Sequence, residues 1–126
     1  MLTYEQCELD PAHANYADTG IGATSAVGCF PYGASPERVL DMSGNVWEWT
    51  QSLWGKDLQT PDFKYPYRTD DGRENLAAHY DITRVVRGGA FYLNARYVRC
   101  AVRLWYNPSS CNRNCGFRVV CVSQHS

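Results

Sequence analysis

Apolar and polar positions alternate most regularly at Val46-Trp47-Glu48-Trp49-Thr50, which places both indoles on one side of the backbone and Val46, Glu48 and Thr50 on the other. A period of two over such residues predicts a strand with one aromatic face. Ser43-Gly44-Asn45, just before it, has the chemistry of a tight turn. Further strands are predicted at residues 84–91, about 98–104 and 116–122, forming an antiparallel sheet joined by loops. A short strand is expected at 26–30, ended by Pro31, with a turn at 32–36. No segment sustains a helical period, so helix content should be low.

The connections carry much of the chain. Residues 1–12 show no clear period and one breaker, Pro11, which suggests an irregular or briefly helical lead-in. Residues 15–22 are rich in Asn, Asp and Gly, residues that tolerate left-handed turns. Residues 51–82 are polar and punctuated by Gly55, Pro61, Pro66 and Gly72. A connection of that length is expected to pack Phe63, Tyr65 and Tyr67 against the frame. From Arg84 to Val120 the chain alternates regular stretches with an interval of Tyr, Asn, Ser, Leu and Cys that has no period, the pattern of a rigid frame displaying a surface.

Length and charge narrow the possibilities. A chain of 126 residues is one domain, 1–126. With a net charge of −1 there is no electrostatic reason to expect nucleic acid or an anionic membrane as partner. No apolar run has the length of a membrane span, and the first ten residues lack a signal-peptide pattern. The expectation is a soluble chain, cytoplasmic or carried on a phage or larger assembly. The six cysteines, Cys7, Cys29, Cys100, Cys111, Cys115 and Cys121, contain no Cys-x-x-Cys pair, and His13, His79 and His125 stand alone. Free thiols are therefore expected, and zinc is not.

Four segments in order, DMSGNVWEW at 41–49, RVVRGGAF at 84–91, RCAVR at 99–103 and GFRVV at 116–120, resemble the formylglycine-generating enzyme (sulfatase-modifying factor) family. The similarity extends over roughly residues 13–122. It implies an α+β, mostly irregular, C-type lectin-like fold with a small antiparallel sheet. The family's upstream helical segment, of the kind Arg-Leu-Pro-Thr-Glu-x-Glu-Trp-Glu, is not matched, so the upstream part of the family domain is expected to be missing.

The resemblance departs from the enzymes in its chemistry. They bind copper(I) through two cysteines shortly after the Gly-Gly motif, soft thiolates suited to that ion. Here the interval 92–98 has no cysteine, and Cys100 sits where some members carry a non-catalytic one. The chain is thus expected not to be an enzyme. A copper-dependent oxidase acting on a cysteine in a peptide is the rival reading, and an inert structural module a third.

The interval also resembles the variable region, about 91–116, of a diversity-generating retroelement variable protein. In those systems the Asn codon AAC is the usual target, and changing its first two bases never yields Lys, Glu, Gln, Met or Trp. Residues 92–115 contain no Lys, Glu, Gln or Met, and Trp105 is the one exception to the rule. This resemblance implies a surface of Tyr92, Leu93, Asn94, Tyr97, Val102, Leu104, Trp105, Tyr106, Asn107, Ser110, Cys111, Asn112, Asn114 and Cys115 that binds a protein or other macromolecule. Tyr92, Tyr97, Trp105 and Tyr106 supply rigid contact area at low entropic cost, with Ser and Asn for hydrogen bonding. Cys111 and Cys115 are then expected to be free and exposed.

No cofactor is required on this reading, although calcium is possible. Asp41 and Glu48, with the carbonyl oxygens of Gly44 and Val46, resemble one calcium site of the family, and Asn15, Asp18 and the carbonyls of Tyr16 and Gly20 the other; hard oxygen donors at turns suit that ion. The bland alternative is a plain turn over core tryptophans. Arg87, Arg99, Arg103 and Arg118 are either an anion patch or, the favoured reading, framework residues bonding loop carbonyls. Gly88-Gly89 precedes no helix, so close backbone packing rather than phosphate binding explains it.

Overall fold

The computed structural model describes residues 9–123. Among them the regular elements are two 3₁₀ turns, Ala17–Thr19 and Pro31–Gly33, and four strands, β1 (Trp47–Gly55), β2 (Thr83–Arg87), β3 (Arg103–Tyr106) and β4 (Cys115–Gly116). The sheet order is β3-β2-β1-β4. β1 pairs antiparallel with β2, and β2 antiparallel with β3, but β4 runs parallel to β1. The sheet is therefore mixed, a correction to the antiparallel expectation.

The expected alternation at Trp47 and Trp49 is present. Trp47, with 1% of its surface exposed, joins Val86 and Ala90 in a core cluster, and Trp49 packs on the same cluster. Truncating a core indole of this kind costs about 3–5 kcal/mol. Register places Trp49, Val86 and Leu104 in one row, so this face of the sheet is the apolar one. Val85, Arg87 and Arg103, one residue out of phase, belong to the other face.

Three strand expectations are corrected. Residues 26–30 form a turn, because Gly28 takes a left-handed φ of 82° and its N–H donates to the Asp41 carboxylate at 2.8 Å. Residues 98–102 are not strand; local bonds from Tyr97 N to Asn94 O and from Val102 N to Arg99 O, both 3.0 Å, close turns that delay β3 until Arg103. In the third, only Cys115–Gly116 pairs, and Phe117, Val119, Val120 and Val122 beyond it are exposed. Of the lead-in, residues 1–8 lie outside the described residues, and 9–12 are irregular.

β1 runs on to Gly55, so the long connection is residues 56–82 rather than 51–82, and a buried cation orders it. Arg73 pairs with Asp71 at 2.7 Å, donates to Lys64 O at 2.8 Å, and lies over the rings of Tyr67 and Phe63. Its carbonyl accepts from Leu53 N at 2.7 Å, which ties the loop to β1. Phe63, Tyr65 and Tyr67 line a cleft against the sheet, as the sequence suggested.

With so little regular structure, backbone groups need other partners. Many converge on the turn before β1. Gly44 N donates to Gly88 O at 2.7 Å, Asn45 N to Asn15 O at 2.8 Å, Phe91 N to Asn45 O at 2.9 Å and Trp47 N to Asn114 O at 2.7 Å. The Asn45 side-chain oxygen accepts from Ser25 N at 2.9 Å and from Asn15 Nδ2 at 3.3 Å. Gly44 has φ 79°, and a Cβ there would lie 2.3 Å from Asn15 O, backbone that cannot move aside cheaply. Gly89 is held the same way, since a Cβ on it would meet Val98 Cγ1 at 2.5 Å.

Gly44→Ala should lower unfolding free energy by about 2–5 kcal/mol through left-handed strain plus overpacking. Gly22→Ala, also left-handed but with nothing within 4 Å of its Cβ, should cost only the strain. Urea unfolding of the two variants checks this, and equal losses would show that the close approach to Asn15 is not what matters.

Candidate binding surface

The interval after Gly89 begins fixed. Ala90 and Phe91 are buried, Leu93 N returns to Ala90 O at 3.0 Å, and Leu93 O accepts from Ala17 N at 2.9 Å. Val98 is buried against Ala14 and Tyr16. Between and beyond these anchors the fourteen proposed surface residues divide into two tiers.

Tyr92, Asn94, Tyr97, Cys111 and Asn112 are exposed, Tyr92 at 50% and Tyr97 at 44%. Leu93, Val102, Leu104, Tyr106 and Cys115 are half-buried and pack on the Trp47 cluster. Trp105, Asn107 and Ser110 are also half-buried, and Trp105 lies opposite Val85, out of phase with Leu104 and Tyr106. Asn114 is buried at 8% exposure. Its Nδ2 donates to Tyr92 Oη at 2.7 Å and to Tyr106 Oη at 3.3 Å, so an interior amide holds two of the aromatic groups. Phe91 meets Tyr92 edge-on at 5.4 Å, and Trp49 meets Tyr106 similarly at 6.2 Å.

These contacts frame an open depression of about 450 Å³ lined by Phe91, Tyr92, Tyr106, Asn112, Arg113 and Asn114. Burial raises the Tyr106 phenol above its ordinary range, so it stays a neutral hydrogen-bonding group near pH 7. Arg113 was not among the residues singled out from sequence; its position between Asn112 and Asn114 was the available signal. The depression offers neutral donors, aromatic edges and one cation, suited to recognition. It brings no nucleophile and base together.

Three of the arginines named from the sequence bond backbone carbonyls. Arg87 donates to Cys100 O at 2.6 Å, Arg99 to Arg96 O at 3.0 Å, and Arg118 to Leu40 O and Asp41 O, both at 2.9 Å. Arg118 also grips both carboxylate oxygens of Glu48. Of the set Asp41, Gly44, Val46 and Glu48, a guanidinium therefore offsets the charge of Glu48, and the Asp41 carboxylate accepts from Gly28 N. At the second set, Asn15 Oδ1 is buried with no hydrogen-bond partner among the described residues, a hard oxygen of the kind a cation would satisfy, while Asp18 is exposed.

Over residues 3–122 the chain matches the sulfatase-modifying factor enzyme 1-like domain. It belongs to that family. Serine/threonine-protein kinase pkn1 of Chlamydia caviae is 31% identical over 88% of this chain and 16% of its own length. Formylglycine-generating enzyme of Mus musculus is 30% identical over 89% of this chain and 27% of its own. The chain thus spans between about a sixth and about a quarter of these curated relatives. Among solved structures, Treponema denticola variable protein 1 superposes with a TM-score of 0.55 at 24% identity, covering 84% of this chain and 34% of that one. The fold is the C-type lectin-like fold of the formylglycine-generating type.

The cysteines of the surface differ in environment. Cys111 is exposed, whereas Cys115 is half-buried, which corrects the expectation that both are exposed, and burial pushes its thiol up to about 11. Among the described residues Cys29, Cys100, Cys111, Cys115 and Cys121 are all free; Cys7 lies outside them. Because the folded thiol titrates above the unfolded one, the stability it contributes is present below about pH 9 and is lost as pH rises towards 11. In a thiol-reagent titration at pH 8, Cys111 should react within the fast phase and Cys115 only after urea is added. Fast labelling of Cys115 in the folded chain would contradict its half-buried placement.

Proposed function

We propose that this domain is a non-enzymatic binding module whose surface between Phe91 and Gly116 recognises a protein or other macromolecular partner, as a variable protein of a diversity-generating retroelement would. The observation that carries the reading is the tiering of that interval. Tyr92, Asn94, Tyr97, Cys111 and Asn112 face solvent, while the residues that anchor them, Gly89, Ala90, Phe91, Val98 and Asn114, are buried. Side chains of Asn94, Tyr97, Cys111 and Asn112 make none of the core contacts described above, whereas Tyr92 bonds the buried Asn114; freedom to change without disturbing the core is the requirement for a diversified surface. The absence of Lys, Glu, Gln and Met from residues 92–115 supports the same reading from composition.

The second reading is an oxidase of the formylglycine-generating type, favoured by the identity to the mouse enzyme. Against it stands the interval 92–98, which lacks the cysteine pair that copper(I) needs. A tight, thiolate-ligated copper(I) complex formed near Arg96 would favour the enzyme.

Should calcium bind, the proposal assigns it to Asn15, Asp18 and the carbonyls of Tyr16 and Gly20, where it would brace the loop against the turn at Asn45. The orphaned Asn15 oxygen is what supports this choice.

A displayed library with the third base held at C in the codons for Tyr92, Asn94, Tyr97, Cys111 and Asn112 should yield binders to unrelated soluble proteins such as hen lysozyme. Selected clones should lose at least about tenfold in affinity when Tyr92 or its replacement is truncated to Ala, the scale of one interface anchor. A well-expressed, folded library that returns no binder after repeated selection would sink the proposal.

A further inference from the structure

A second concavity lies on the opposite face of the sheet. β2 and β3 place Arg87 directly across from Arg103, two like charges at one register position. Such a pair is destabilising unless something negative offsets it, and the carboxylate next in register, Glu48 opposite Arg87 on β1, is already gripped by Arg118. Among the described residues neither arginine forms an ion pair; the arginines that do are Arg68, Arg73 and Arg118. Arg87 uses Nη2 to hold Cys100 O, and Arg103 lies over the rings of Trp54 at 5.4 Å and Tyr65 at 5.1 Å. Stacking fixes a guanidinium plane while leaving its edge of N–H donors free.

Both arginines open into a cleft of about 240 Å³ whose other walls include Leu53, Phe63, Tyr65 and Val85. Hydrogen bonding from Arg87, then the charges of Arg87 and Arg103, hold the phenol of the exposed Tyr65 below its ordinary range. The mouth of the cleft is thus electropositive, and Leu53, Phe63 and Val85 form an apolar part of a lining that also includes Thr50, Ser52, Tyr67 and the Asp71-paired Arg73.

We propose that this cleft binds a small organic carboxylate, with the carboxylate bridging Arg87 and Arg103 beside Tyr65 and an apolar or aromatic stem lying between Leu53, Phe63 and Val85. Two guanidinium edges match the fork of a carboxylate, and an acceptor between them removes the repulsion across the strand pair. The volume accommodates one small ring with its acid group rather than a peptide. Because Val85, Arg87 and Arg103 are out of phase with Val86 and Leu104, the site is separate from the depression at Tyr92 and does not depend on the function proposed for it.

Calorimetric titration of the full chain with phenylacetate, phenylacetamide and inorganic phosphate tests the assignment. Phenylacetate should bind saturably at one site. Phenylacetamide, the same shape without the charge, should bind at least about tenfold more weakly, the scale of a charge-assisted hydrogen-bond pair. Arg103→Met should lose a similar factor, and Tyr65→Phe, which keeps the ring, a smaller one. Equal binding of acid and amide by the unaltered protein would overturn the proposal without recourse to a variant. Phosphate binding as tightly as phenylacetate would overturn the apolar-stem assignment, and an Arg103→Met chain that retains full affinity would remove the arginine from it.

Discussion

The structure depends on one polar knot, the turn Gly44-Asn45 locked to Asn15. A fold with this little regular secondary structure must satisfy its backbone donors and acceptors one by one. Here a two-residue turn does so for three distant segments. It bonds residues 15 and 25 through Asn45, residue 88 through Gly44 and residue 91 through the Asn45 carbonyl. Two residues later Trp47 takes the carbonyl of Asn114 with its backbone and fills the core with its indole. The price is two left-handed residues in succession, Gly44 at φ 79° and Asn45 at φ 66°, the residue types that tolerate such a backbone best.

That knot explains why the region between Phe91 and Gly116 can be irregular without being loose. Its two ends are pinned close together, Phe91 N to the turn at Asn45 O and Asn114 O to Trp47 N two residues beyond it. Between the pins, Val98 plugs the Ala14 and Tyr16 cluster, and Leu93, Val102, Leu104 and Tyr106 rest on the Trp47 cluster. What faces solvent is a remainder that carries little of the packing. The two faces of the sheet also differ in character. One is aromatic and aliphatic and underlies the interval between Phe91 and Gly116. The other is arginine-lined and roofed by a loop that Arg73 holds in place from within.

Local period and family motif made part of this legible in the sequence. The alternation through Trp47 and Trp49 predicted a strand with one aromatic face, and the β-branched run at Val85-Val86 predicted its neighbour; both are present. Gly88-Gly89 was attributable to close packing from its failure to precede a helix, and a Cβ at Gly89 would indeed strike Val98. Residues 26–30 and 116–122 misled because β-branched and apolar composition speaks of a half-buried environment, and these segments have no strand beside them to complete it. Asn45 looked like turn chemistry alone. Its long-range role rests on partners 20 and 30 positions away, Ser25 and Asn15, which no local window reveals. The arginine-lined cleft was hidden for a similar reason. Arg87 and Arg103 could be named as a patch, but their register across β2 and β3, and the arrival of Tyr65 from a remote loop, are properties of the fold.

The central claim is that stability resides in the knot and the buried anchors, and that the exposed side chains between them are free to vary. Equilibrium urea unfolding of a chain with Tyr97, Cys111 and Asn112 all replaced by Ser tests it most directly. The account predicts a cooperative transition with an unfolding free energy within about 1.5 kcal/mol of the parent, since exposed substitutions away from special contacts each change stability by about 0.5 kcal/mol or less. A loss well beyond that, or a transition that is no longer cooperative, would mean that these side chains hold the fold together, and the separation of frame from surface would be wrong.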